Sequence, residues 1–189
     1  MIIREASGNR VIGAHGGYRN LLSYQKAEIV YDATAEFCDL YIDRYSRTHD
    51  QMVQAARSGK QNIAEGSMAS ATSAKTELKL TNVAKASLEE LLLDYEDFLR
   101  QRGLRLWDKN SPEALAIRHQ FHASHTSHTS YQSYRSHIQA SPEAAANTVI
   151  CLIHQATFLL RRQIRRLEDS FLAEGGFSER LYQARSARR

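Results

Sequence analysis

Only two prolines and nine glycines interrupt the 189 residues, too few for the tight turns that a β sandwich places between its short strands. That scarcity makes an all-α chain the expectation. Cysteine is equally rare. Cys38 and Cys151 each sit inside an apolar helical pattern, where a free thiol packs as a small hydrophobe, so no disulfide is expected. No window approaches the ~18 uninterrupted apolar residues of a membrane span. The opening Met1-Ile2-Ile3-Arg4-Glu5 is too short and too soon charged for a signal peptide. A soluble, cytoplasmic protein is therefore expected. Also missing are a Gly-rich phosphate loop, a nucleophile elbow and zinc-finger spacing. No set of side chains can be given catalytic roles, so the chain reads as non-enzymatic and without a cofactor.

What is present is helical periodicity. From Tyr18 to Asp43, Leu21, Tyr24, Tyr31, Ala35, Cys38 and Ile42 recur at three- and four-residue steps, which predicts a first helix. Ser46, Thr48 and Asp50 offer N-caps to a second, apolar at Met52, Val53, Ala55, Ala56, Ile63 and Ala64, with Gly66 at the expected C-terminal position. Gly59 interrupts that helix. A glycine there costs about 1 kcal/mol relative to alanine, so close helix packing is expected at this point. After the small-residue connector Ser67 to Ser73, Leu80, Ala84, Leu88, Leu91, Tyr95 and Leu99 step through a third helix until Gly103.

Two copies of one start signal follow, Ser111-Pro112-Glu113-Ala114 and Ser141-Pro142-Glu143-Ala144. Serine can accept from an orphan backbone amide, proline misses no donor at the first helical position, and glutamate complements the positive helix end. The first signal predicts a short helix through Leu115 and Ile117. The second predicts the fourth long helix, through Val149, Leu152, Ala156, Leu160, Ile164, Leu167 and Phe171 to Gly175-Gly176. Between them His119 to Ala140 is polar and nearly free of aliphatic residues, which predicts a mobile loop or an irregular helical extension. The organisation expected is a flexible arm over 1–17, an antiparallel up-and-down four-helix bundle over 18–174, and a basic tail over 175–189. A long irregular connection, 104–140, joins helices three and four.

Three clusters could carry chemistry. His119, His122, His125 and His128 recur every third residue, and imidazoles three apart on a helix can share a metal ion. A three-residue step, however, drifts around an α-helix by ~60° each time, so four cannot face one ion, and a solvated loop without metal is expected. Glu89, Glu90, Asp94, Glu96 and Asp97 lack the Glu-x-x-His partner of bundle metal sites and read as a charged face near Lys79, Lys85 and Arg100. The third cluster is cationic. The net charge is +4, and 161–189 holds eight arginines against four acids. Arg161, Arg162, Arg165 and Arg166 would form two adjacent rows on one helix face opposite Leu160, Ile164 and Leu167, able to meet phosphates or an acidic partner.

Tyr18-Arg19-Asn20-Leu21-Leu22-Ser23-Tyr24-Gln25-Lys26-Ala27, Gln61-Asn62-Ile63-Ala64-Glu65-Gly66 and Leu88-Glu89-Glu90-Leu91 resemble the bacterial four-helix-bundle proteins encoded in intervening sequences of large-subunit ribosomal RNA genes. The chain resembles more closely the four-helix-bundle suffix-domain group. The resemblance covers Tyr18 to Gly103 and extends to the fourth helix by pattern. It implies a pentameric ring of bundles. For the related accessory variability determinants of diversity-generating retroelements it also implies a basic surface that binds nucleic acid and a reverse transcriptase. The connection after the third helix is much longer here, and the positive charge sits later. Read from the residues alone, Gly66 would provide a left-handed turn ending the second helix, with Asn62 and Glu65 bonding near it. Nine tyrosines suit subunit contacts. Two functions stand: a non-enzymatic homo-oligomer binding nucleic acid or a nucleic-acid-processing protein through these arginines, or a structural adaptor that binds a protein without nucleic acid.

Overall fold

Both Ser-Pro-Glu-Ala signals open a helix. In the computed structural model, which describes residues 16–123 and 131–186, Ser111 Oγ accepts from Ala114 N–H at 3.2 Å and Ser141 Oγ from Ala144 N–H at 3.1 Å. Serine caps two earlier helices as well: Ser46 Oγ accepts from Thr48 N–H and Ser73 Oγ from Thr76 N–H. The described residues form seven α-helices and no strand. They are α1 (Leu22–Tyr41), α2 (Arg47–Ala69), α3 (Ala74–Gln101), α4 (Pro112–Ala123), α5 (Arg135–Ala140), α6 (Pro142–Glu174) and α7 (Phe177–Ser186). Short 3-10 turns at Tyr18–Asn20 and Tyr131–Ser133 precede α1 and α5.

Packing follows the apolar stripes. α1 lies against α2, α2 against α3, α3 against α6 and α6 against α1, while α4 and α5 pack on α6. The shared interior is closed to solvent at its centre: Ala27, Val30, Phe37, Met52, Leu88, Leu91, Tyr95, Leu152, Ile153 and Leu160 are all 0% exposed. Phe37 stacks edge-on to Tyr95 and Phe98, the geometry that aromatic quadrupoles favour. Two tyrosine hydroxyls tie the packing together, Tyr95 donating to Thr34 Oγ1 at 3.1 Å and Tyr41 to the Ile138 carbonyl at 2.9 Å. Tyrosine therefore serves this interior extensively. Both cysteines are free thiols. Pro142–Ala173 is long and apolar enough by composition to cross a membrane, but 61% of its apolar window is buried inside the protein. Its place against both α1 and α3 accounts for that apolarity.

The structure departs from the sequence reading at four places. Gly66 does not end α2, which continues to Ala69, and its φ is not positive. It lies instead where α2 meets α3: a Cβ there would sit 3.3 Å from the Glu77 carbonyl. Gly59 has the same role more sharply, as its spacing suggested, since a Cβ would fall 2.6 Å from Leu88 Cδ2. α2 thus also takes in the first part of the small-residue connector. Left-handed glycines do mark the ends of α3 and α6, at Gly103 (φ 63°) and Gly175 (φ 70°).

The second departure is α4, which runs on through His119 to Ala123. The third is Tyr131–Ala140, expected as irregular, which is helical because Tyr134 and Ile138, one turn apart, are both fully buried against the core. Lys26 Nζ reaches the Tyr134 hydroxyl at 3.4 Å, and the Tyr131 hydroxyl bonds the Glu36 carboxylate. Last, the stretch 175–189 holds α7. Of the N-terminal arm, Gly16 and Gly17 are described, Gly16 N–H pointing to the Ser67 carbonyl at 3.4 Å.

Candidate functional site

α6 is the structural spine of the site, 33 residues long and therefore about 50 Å at 1.5 Å per residue. Its buried stripe runs through Val149, Leu152, Ile153, Ala156, Leu160 and Ile164. At about 100° per residue, Arg161, Arg162, Arg165 and Arg166 project to the opposite side of the helix. All four are exposed. None takes part in an ion pair among the described residues. The Arg162 guanidinium lies 5.9 Å from the centroid of the Phe158 ring, one turn back on the same face.

Towards the N-terminal half of α6 this outward face is roofed, and a cleft of about 740 Å³ lies beneath the roof. Its floor is Ile150, Cys151, His154, Gln155 and Phe158 of α6. Leu106, Trp107 and Lys109 from the α3–α4 connection form one wall, with Ala114 and Arg118 of α4. Leu22 at the start of α1 and Glu96 of α3 complete the rim. One buried side chain holds the wall to the floor. Asn147, 1% exposed, accepts from Trp107 N–H at 2.8 Å and donates to the Arg105 carbonyl at 2.8 Å and to the Glu143 carbonyl at 2.9 Å. Arg105 adds N–H to Glu143 at 3.1 Å and a guanidinium contact to Glu113 at 2.5 Å. These bonds join the connection to the first turns of both α4 and α6.

The electrostatics of the cleft lean positive. Lys109, Arg118 and Arg162 line it against the single carboxylate of Glu96. Arg118 donates to the Lys109 carbonyl, which fixes its guanidinium at the wall. Desolvation holds the His154 imidazole below its ordinary value, with Arg161 and Arg118 pushing the same way and Glu96 opposing. Burial raises the Cys151 thiol. Burial therefore favours the protonated thiol and the neutral imidazole. Gln155 differs from its neighbours, because both polar atoms of its amide are buried and bond to nothing among the described residues. The chain matches no family model, no curated protein and no solved structure.

The other residues singled out by the sequence lie elsewhere. Asn62 donates to the Ser58 carbonyl at 2.9 Å and the Ser58 hydroxyl at 3.1 Å, a bond within α2, while Glu65 is exposed. Gly66 lies where α2 meets α3, and none of the three lines the cleft. His119 is exposed on α4 and His122 is in the same helix; His125 and His128 lie outside the described residues. Among the described residues no three His, Cys, Asp or Glu side chains are grouped to hold a metal ion. The acidic face of α3 is partly paired, Lys85 with Glu89 at 3.1 Å and Arg100 with Asp97 at 2.8 Å. Sequence reasoning found the arginine rows but missed the cleft. The clue available was Asn147, a polar side chain flanked by Ala146 and Thr148 within a strongly apolar helix.

Proposed function

We propose that this chain is a non-catalytic, cytoplasmic, homo-oligomeric protein that binds nucleic acid through the outward face of α6. One observation carries the reading: four exposed arginines stand in two rows on a helix whose other side is locked into the core. Such a rigid row neutralises phosphates at little cost in ordering, because its backbone is already fixed. We further propose that α1, α2, α3 and α6 form an antiparallel up-and-down four-helix bundle. The closed circuit of their contacts supports this, as does the Ser23–Gln163 bond at one end of α1 and the Tyr41–Ile138 bond at the other. The resemblance to the intervening-sequence and suffix-domain proteins favours a ring of such bundles. Exposed Leu40, Met68, Val83 and Leu93 supply apolar surface for contacts between copies.

Replacing Arg161, Arg162, Arg165 and Arg166 together by glutamine tests the surface directly. Anisotropy of a labelled single strand, measured from 50 to 300 mM salt, is expected to fall by about 10²-fold in affinity at 0.15 M salt, with about 3 units lost from the log–log salt slope. An unchanged affinity and slope would remove these arginines from the interface. The adaptor reading draws on the same exposed apolar side chains. It requires that the parent protein bind no strand at low salt.

A further inference from the structure

The cleft and the arginine rows occupy one face of one helix. At about 100° per residue, Cys151, His154, Gln155 and Phe158 project to the same side as Arg161, Arg162 and Arg165. Arg162 belongs to both sets, lining the cleft and standing in the rows. A polyanion lying along the rows is therefore led to the cleft mouth. The volume, about 740 Å³, falls within the ~300–1,000 Å³ of sites that enclose small organic groups. Its walls offer flat apolar surface at Trp107 and Phe158, and cations at Lys109, Arg118 and Arg162.

The Gln155 amide narrows the chemistry. A buried donor and acceptor left without partners cost stability, and this pair is held at the floor of a cleft. Turning it towards the cleft breaks no bond, because it makes none among the described residues. A primary amide presents a donor and an acceptor side by side. It matches a group presenting the complementary pair, as each nucleobase does on an edge freed by unstacking. Aromatic faces that accept an unstacked base, guanidinium and ammonium groups for its phosphate, and an amide for its edge are the parts of a single-strand base pocket.

We infer that the cleft receives an unstacked base of a bound single strand, hydrogen-bonded by Gln155 turned into the cleft, flanked by Trp107 and Phe158, and held at its phosphate by Arg118 and Arg162. The inference rests on the reading of α6 as a nucleic-acid interface and adds a base pocket to it. An abasic strand carries the phosphates but no base to seat, so an oligo(dA) strand binds more tightly than an abasic strand of the same length. The preference is about tenfold, the lower part of the range for one stacked base.

Trp107 is the only tryptophan in the chain, so its emission reports on the cleft alone. The experiment titrates the full chain with oligo(dA), an abasic strand of the same length and adenosine monophosphate, reading Trp107 emission and strand anisotropy together. The same titrations follow for Gln155→Leu and Phe158→Ala. The first replaces an unbonded amide by an apolar side chain of similar size. The second truncates a ring that is 53% exposed. Melting curves on both confirm folding. The expected result is quenching by oligo(dA) and none by the abasic strand, a tenfold preference for oligo(dA), a smaller preference in Gln155→Leu, and weaker quenching in Phe158→Ala. Equal binding of both strands with unchanged emission would overturn the base pocket and leave the arginine interface standing. No strand binding would overturn both, and quenching by the mononucleotide in that case would mark a free-nucleotide site.

Discussion

Replacing Phe37 by alanine is expected to destabilise the fold by about 3–5 kcal/mol, the range for truncating a fully buried aromatic ring. The ring is 0% exposed, and its centroid lies 5.3 Å from Tyr41, 4.8 Å from Tyr95 and 4.9 Å from Phe98. Truncation forfeits the transfer of the ring from water and leaves a cavity that three large neighbours on α1 and α3 cannot all collapse to fill. Three edge-on or tilted contacts are lost with it, each worth about 0.5–1.5 kcal/mol beyond the area buried. Urea unfolding followed by helical circular dichroism measures the change in midpoint at constant m-value. Phe37→Leu keeps most of the volume and is expected to lose less than half as much. A loss below about 1 kcal/mol for the alanine variant would mean that the aromatic cluster relaxes freely, contrary to the packing described.

The second large effect is expected in alkali. Burial, reinforced by Asp39 and Asp94, pushes the Cys38 thiol from 9.0 up to about 12. Burial also raises Tyr134 from 10.0 to about 12 and Tyr95 well above its ordinary value. Desolvation, with the Glu36 carboxylate adding to it, raises Tyr131 in the same direction. In each case the folded state keeps a proton that the unfolded chain gives up. Stability is then fully present below the unfolded value and is lost as pH climbs towards the folded one. Lys26 acts the other way: desolvation lowers it from 10.5 to about 8, so the folded state carries fewer protons between those values and gains stability as pH rises through them. The two trends cross near pH 9, because Cys38 starts to oppose Lys26 there and the tyrosines follow from 10. Urea midpoints from pH 7 to 12 should rise slightly to about pH 9 and then fall by several kcal/mol. A flat profile above pH 10 would show that these groups ionise without unfolding the core.

Much of the fold was legible because its signals are local. A serine cap and a proline at the first helical position act within four residues, so Ser111-Pro112 and Ser141-Pro142 could be read without knowledge of anything distant. The 3.6-residue stripe of α3 likewise identified Leu88, Leu91, Tyr95 and Leu99 as interior. Gly66 was misread because glycine ends helices and also lets two helices approach, and only the position of α3 distinguishes the two uses. α5 was missed for a related reason. Tyr134 and Ile138 are too few to produce a periodic stripe, yet burial of both against α1 and α6 is enough to order the segment. The arginine rows follow from helical geometry alone. The cleft does not: it draws on α1, α3, the connection, α4 and α6, and Gln155 is an ordinary helical residue until its surroundings are known.

The order in which these helices meet has a kinetic side. α2 and α3 are joined by four residues, Ser70 to Ser73, and share the most extensive packing in the molecule, with Gly59 and Gly66 at their closest approach. α6 must return across a far greater loop, since Ser23 and Gln163 are bonded over 140 positions of sequence. Contacts of short separation close first, because little chain entropy is lost in forming them. Pulse-labelled amide exchange during refolding should accordingly find α2 and α3 protected before α6. The arginine-bearing helix is then the last long element to dock, and the core between α1 and α3 stays open until it does.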